Sequence, residues 1–132
     1  MDHLNTIKNI FKLTTIAVVG MSPKPERPSN YVSLYMRENG YKIIPVNPGQ
    51  KMINDENCYS KLTEIPYEVE IVNIFRRSEY VLPIIKDAIK IKAKAIWLQD
   101  GVVSEEGFRL AKKEEIMFIM NDCLLRRHRQ LN

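Results

Sequence analysis

The chain predicts an α/β fold: a Rossmann-like three-layer αβα sandwich around a five-stranded parallel sheet. Three observations lead there. Short β-branched runs alternate with longer segments of helical period, the pattern of βαβ units. No repeat of the length that builds solenoids or propellers is visible. The 132 residues, 45% hydrophobic and 27% charged, suit one globular domain spanning positions 1–132.

Residues 4–13 set Leu4, Ile7 and Phe11 at helical spacing, with Lys8 the polar exception, and read as a leading helix. Residues 15–19 form a buried-type strand that stops at Gly20. The loop after it is stiffened by Pro23, Pro25 and Pro28. Pro28 or Ser29 opens the next helix, which runs to Asn39 and is stopped by Gly40. A second strand at 41–46 closes on Asn47-Pro48-Gly49, which is turn chemistry. Residues 50–67 are polar and read as irregular, with room for one short helical turn.

The third strand covers 70–75. Ser78 is the expected cap of a helix over 79–90, whose Val81, Ile84, Ile85, Ala88 and Ile89 make a core stripe. Residues 94–98 are the fourth strand, and Ser104 with Glu105 and Glu106 opens another helix. The fifth strand is 116–120, and 124–130 a closing helix. Right-handed crossovers predict the order 3-2-1-4-5, with a switch point between the first and fourth strands.

The apolar runs at 16–19 and 116–120 fall far short of the roughly 20 residues a membrane span needs. The first thirteen residues lack an apolar signal core and a small-residue cleavage site. The expectation is a cytoplasmic protein without a membrane partner. The formal charge of +4 owes much to Arg126, Arg127 and Arg129, read as a solvated helix end rather than a nucleic-acid footprint. Cys58 and Cys123 have neither a CxxC pair nor histidines at ligand spacing, so both read as reduced thiols.

In open parallel sheets ligands bind beyond the carboxyl ends of the strands. Here those positions hold Gly20, Met21, Ser22, Lys24 and Arg27, then Asn47 and Pro48, then Phe75, Arg76 and Arg77, then Gln99, Asp100 and Gly101. This edge is polar and cationic, and a tight turn at Gly20 before a helix N-terminus favours a phosphorylated ligand. Only one glycine of a dinucleotide fingerprint is present, and Asn47 stands where an acid would hold a ribose, so a phosphate-rich nucleotide fits better than NAD. Gly20 also suits a plain packing turn, Asn47-Pro48 an ordinary turn, and Arg77 a solvated charge.

The runs VVGMSPKPERPSNYV, GYKIIPVNPG, NIFRRSEYV, AIWLQDGV and NDCLL resemble, in order and spacing, the small CoA-binding protein family over roughly residues 15–125. Members resemble the CoA-binding domain of the succinyl-CoA synthetase α subunit without its catalytic histidine domain. The resemblance implies binding of coenzyme A or an acyl-CoA without intrinsic catalysis, and leaves room for a protein partner. It implies that Gly20, Ser22, Lys24 and Arg27 wrap phosphates and that Asn47 and Pro48 border the adenosine. Phe75 and Arg76 would flank the diphosphate or adenine, and Gln99 and Gly101 would close the pocket. Two departures stand out: residues 52–58 read MINDENC where the family usually has a glycine, and Glu115 replaces a glycine before the last strand.

No nucleophile with a base, paired acid and base, or metal constellation is evident. His3 and His128 lie away from the edge, and Asp100 and Glu26 are carboxylates without an evident partner. Cys123 reads as a structural thiol, with a mixed disulfide to the CoA thiol as the alternative. A receiver domain needs an aspartate where this chain has Phe75-Arg76. An interaction module with a vestigial nucleotide crevice, or an NAD(P)-binding oxidoreductase-like domain, are the competing functional classes.

Overall fold

The computed structural model describes residues 3–132; Met1 and Asp2, with which the readings of the N-terminal stretch and of the 1–132 domain begin, lie outside the described residues. Helix α1 (His3–Ile10) leads into β1 (Thr15–Val19), α2 (Pro28–Glu38) and β2 (Lys42–Val46). A small hairpin, β3 (Met52–Ile53) and β4 (Glu56–Asn57), and a 3-10 turn at Leu62–Glu64 precede β5 (Ile71–Ile74). Then come α3 (Val81–Lys90), β6 (Ala95–Leu98), α4 (Glu105–Lys113), β7 (Met117–Ile119) and α5 (Leu124–Leu131).

The five long strands form one parallel sheet between two helical layers. Ala17, Val19, Val72, Ile74, Ile96 and Leu98 face Val81, Ile85 and Ala88 of α3 and Ala111 of α4. The alternate residues, Ile16, Val18, Ile71 and Trp97 among them, face Ile7 and Ile10 of α1, Val32 and Met36 of α2, and Leu124 of α5. Strands covered on both faces need apolar side chains on both, which explains continuous runs such as Ile96-Trp97-Leu98. No helix among the described residues is long and apolar enough to cross a membrane.

The strand order corrects the expected 3-2-1-4-5. The sheet runs β2-β1-β5-β6-β7, so the third parallel strand lies beside the first, with Val72 opposite Ala17. Two residues explain this. Pro45 has no N–H for a ladder and suits an edge strand, and its carbonyl points outward to accept from the Tyr59 N–H at 3.1 Å. Glu70, just before β5, takes the N–H groups of Thr14 and Thr15 at 2.9 and 3.1 Å and so ties the start of β5 to the start of β1. Those bonds, the backbone N–H of Thr14 foremost, hold the Glu70 carboxyl below its usual range. The switch point therefore falls between β1 and β5, whose following helices α2 and α3 go to opposite faces.

Smaller corrections concern ends and loops. Ser78 does not cap α3: residues 78–80 form a 3-10 turn, and the Ser78 hydroxyl accepts from the Val103 N–H at 2.9 Å, fastening one carboxyl-edge loop to another. Ser104 does cap α4, accepting from the Gly107 N–H at 3.0 Å. The segment read as irregular contains the β3–β4 hairpin, turning through Asn54 and Asp55 at φ 51° and 68°. Two central residues of positive φ make the tight turn that matches strand twist, and Asn and Asp tolerate that conformation best after glycine. Arg126 and Arg127 sit at the start of α5, Arg126 exposed and Arg127 half-buried, and both are held in the ion pairs described below.

Candidate functional site

Three strand ends are laced together at the switch point. The Gly20 N–H donates to the Val46 carbonyl and the Phe75 N–H to the Val19 carbonyl, both at 2.9 Å. Gly20 sits at φ +85°, and a Cβ there would lie 2.6 Å from the Phe75 carbonyl oxygen. Only glycine admits both the conformation and the approach. Asn47 is a strut: its Nδ2 donates to the Met21 carbonyl at 2.9 Å, and its Oδ1 accepts from the Gly49 N–H at 2.8 Å.

The loop after β1 is closed on itself. The Ser22 N–H donates to the Ser29 hydroxyl at 2.9 Å, the Lys24 N–H to the Ser22 hydroxyl at 3.1 Å, and Asn30 to the Ser22 carbonyl at 2.8 Å. The main-chain donors of Gly20, Ser22 and Lys24 are thus already engaged.

The crevice divides at the contact between Gly20 and Phe75. On the α3 side a cavity of about 420 Å³ is lined by Gly20, Asn47, Pro48 and Arg76, together with Ser60, Lys61 and Asp87. On the α2 and α5 side a cavity of about 410 Å³ is lined by Phe75 and Gln99 with Tyr31, Asp100, Cys123 and Arg126. Gln99 is buried and donates through Nε2 to Asn73 Oδ1 at 2.7 Å, a polar pair under that cavity. Of the expected residues, Met21 is buried in the core, Ser22 is half-buried in its own loop, and Lys24, Arg27 and Arg77 are exposed; none of these lines either cavity. Gly101 lines neither, its N–H donating to Asn121 Oδ1 at 2.8 Å.

Lys61 lies in a segment that reads as irregular and Asp87 on a helix that reads as a core stripe, so neither stands out from sequence spacing. The signal for Asp87 was its position one turn beyond Ile84, which lines the same cavity.

Charge is distributed unevenly along the edge. Among the described residues Lys24, Arg27, Lys61, Arg76 and Arg77 are in no ion pair. The Arg76 guanidinium lies 5.2 Å from the centre of the Tyr80 ring. Asp100, by contrast, has a partner: it takes both Nη atoms of Arg126, at 3.0 and 2.8 Å. Arg126 also reaches Asp122 at 3.0 Å, and Arg127 Nε reaches the same carboxylate at 2.8 Å. His3 lies 3.7 Å from Asp122, and His128 is buried, with Nδ1 2.8 Å from the Tyr35 hydroxyl and burial holding its pKa down. Burial pushes the Cys58 thiol up, and the thiol donates to the Asn47 carbonyl at 3.5 Å. Cys58 and Cys123 are both free thiols. No group of three His, Cys, Asp or Glu side chains among the described residues could hold a metal ion.

A doubly wound sheet with a crevice and unneutralised cations at its switch point defines an α/β domain of the nucleotide-binding type. A family model described as a CoA binding domain matches residues 14–129, and the chain belongs to that family. It is 39% identical over 109 residues to the Uncharacterized protein YneT of Bacillus subtilis, covering 83% of this chain and 81% of that one. It is 27% identical over 110 residues to the ADP-forming acetate–CoA ligase II of Archaeoglobus fulgidus, matching 82% of this chain and only 16% of the ligase. Its fold matches a hypothetical protein from Pyrococcus horikoshii at a TM-score of 0.93 and 31% identity, covering 99% of this chain and 92% of that one.

Proposed function

We propose that the chain binds coenzyme A or an acyl-CoA across the carboxyl edge of its sheet and carries out no bond-making step of its own. The observation that carries this reading is the cavity at Gly20, where Arg76 and Lys61 stand without a carboxylate partner in an ion pair. A phosphorylated ligand supplies the missing negative charge, and an arginine can meet a phosphate with two hydrogen bonds. Membership of the CoA binding domain family supports the choice among phosphorylated ligands.

In this reading Gly20, Asn47, Pro48, Lys61 and Arg76 take the nucleotide, and Lys24 and Arg27 add charge from the neighbouring loop. The acyl-carrying arm crosses the Gly20–Phe75 contact into the second cavity, against Phe75 and Gln99. Gly101 and Arg77 shape the rim, and Met21 and Ser22 hold the first loop in place. The absence of chemistry rests on the side chains: the carboxylates Asp100 and Asp122 are taken up by arginines, and His128 is enclosed by Phe11, Tyr35 and Tyr41.

Thermal unfolding with coenzyme A, acetyl-CoA, ATP and NAD in one buffer tests this. A ligand at 100 times its dissociation constant adds about 2.7 kcal/mol to stability. A rise with the CoA compounds and a smaller one with ATP is expected. No rise with any ligand would leave an interaction module with a vestigial crevice, and a rise with NAD alone would point to the oxidoreductase-like class. Acetyl-CoA kept with the protein should release no free thiol.

A further inference from the structure

The two edges of the sheet are finished differently. On β2 the outer edge is occupied, because the Tyr59 N–H donates to the Pro45 carbonyl at 3.1 Å and the Asn47 N–H to the Tyr59 carbonyl at 2.9 Å. On β7 the Met117 N–H donates to the Lys94 carbonyl at 3.1 Å, toward β6. Main-chain groups alternate along a strand, so the N–H and carbonyl of Phe118 point away from the sheet. Beside them a groove of about 500 Å³ runs between α1 and α4, with Ile116, Met117 and Phe118 in its floor and Phe108 and Lys112 on its wall. Phe108 is 37% exposed, and its ring packs edge-on against Phe118 with centroids 5.8 Å apart. An open apolar edge strand without proline, bulge or inward charge is a template for another strand.

Charge identifies the strand that fits. Glu105, Phe108 and Lys112 fall at helical spacings of three and four and so share one face of α4, from which Phe108 and Lys112 line the groove. Neither Glu105 nor Lys112 is in an ion pair among the described residues. Glu115, just beyond α4, lines the groove as well, so this side carries both signs: a uniformly acidic partner would meet Glu105 and Glu115, and a uniformly basic one Lys112. A second copy, related by a two-fold axis through Phe118, lays α4 antiparallel to its mate and reverses the order of charges.

We propose that β7 is the interface of a symmetric dimer, with the two β7 strands paired antiparallel in a continuous ten-stranded sheet. Phe118 exchanges its main-chain hydrogen bonds with Phe118 of the second copy. Phe108 of each copy closes over the axis, and Glu105 of one meets Lys112 of the other twice. Such an isologous contact closes on itself and leaves no free edge for further growth.

Sedimentation equilibrium of the full chain, from micromolar to several hundred micromolar, tests the proposal. The expected species has twice the 15.4 kDa chain mass. Lys112→Glu places like charges together at two symmetric points and should weaken dimerisation about tenfold or more. Glu105→Lys with Lys112→Glu restores the opposite pairing and should recover most of that loss, with circular dichroism unchanged throughout. A monomer at every concentration would overturn the proposal and leave the groove to a different partner. So would a dimer indifferent to Lys112→Glu, or a double variant no better than the single one.

Discussion

Two pairs of adjacent arginines sit on the carboxyl side of the molecule and have opposite fates. Arg126 and Arg127, at the start of α5, are bound by Asp100 and Asp122 at 2.8 to 3.0 Å, and Asp122 is buried. Arg76 and Arg77, after β5, find no carboxylate among the described residues. The first pair is spent on the fold, because each guanidinium already has its counter-charge. The second has no such counter-charge among the described residues. Adjacency in sequence says nothing about this; what matters is whether the sheet brings an acid within reach.

The most severe test of the contrast is Asp122→Ala, which leaves the half-buried Arg127 without a carboxylate and takes from the exposed Arg126 one of its two. It should cost about 2–3 kcal/mol, read from urea denaturation. A loss near zero would mean that the first pair is as solvated as the second. Acid titration probes the same carboxylate. Burial alone would raise the pKa of Asp122, but hydrogen bonds from Arg127, the Cys123 N–H and Arg126 outweigh it, and the group titrates below the ordinary aspartate range. A depressed folded pKa contributes stability that is complete above the unfolded value, about 3.9, and lost as pH falls through the folded one. Denaturation midpoints should therefore fall below about pH 5 in the natural protein. The fall should be shallower in Asp122→Asn, which has already lost that contribution.

Next in size is Arg76→Ala. With stability changed by less than about 0.5 kcal/mol, coenzyme A affinity measured by titration calorimetry should drop about 10- to 100-fold, the worth of one charge-assisted contact. Arg76→Lys should recover part of it. Wild-type affinity in Arg76→Ala would return this residue to the solvated class. Glu115→Gly calibrates the stability scale away from both clusters. Glu115 sits at φ 59°, at the end of α4, where its N–H donates to the Lys112 carbonyl at 3.0 Å and the Ile116 N–H to the Ala111 carbonyl at 2.9 Å. A glycine in this helix-ending position should add about 1 kcal/mol by removing left-handed strain. The smallest effect is assigned to Arg77→Ala, which lines neither cavity and should move affinity less than about threefold, or ~0.6 kcal/mol.

The departures from family pattern were legible as positions before they had a meaning. Asn54, Asp55 and Glu115 all have positive φ, where glycine is the usual occupant. The corresponding helix end at Gly40 has φ +98°, with the Tyr41 N–H donating to the Met36 carbonyl at 3.1 Å. The same backbone device thus recurs with and without glycine. The site was legible as an edge rather than as a pocket. Gly20, Asn47, Pro48 and Arg76 come together, Phe75 and Gln99 fall on the opposite side, and Lys61 and Asp87 enter from segments whose spacing carried no functional sign.

What the sequence determined by itself is local: the alternation of strands and helices, the buried faces, the turn at Gly20 and the cap at Ser104. Apolar period, proline and glycine constraints and side-chain caps act over a few residues, so they can be read without knowing what lies across the sheet. Tertiary structure alone decided that β5 lies beside β1, that Asp100 and Asp122 claim Arg126 and Arg127, and that the crevice splits at Gly20. Strand neighbours and ion pairs depend on which distant segments meet, and several orders bury nearly the same apolar surface. The difference came from a few groups, Pro45 without its N–H and Glu70 holding Thr14 and Thr15, whose hydrogen bonds are satisfied in the observed arrangement.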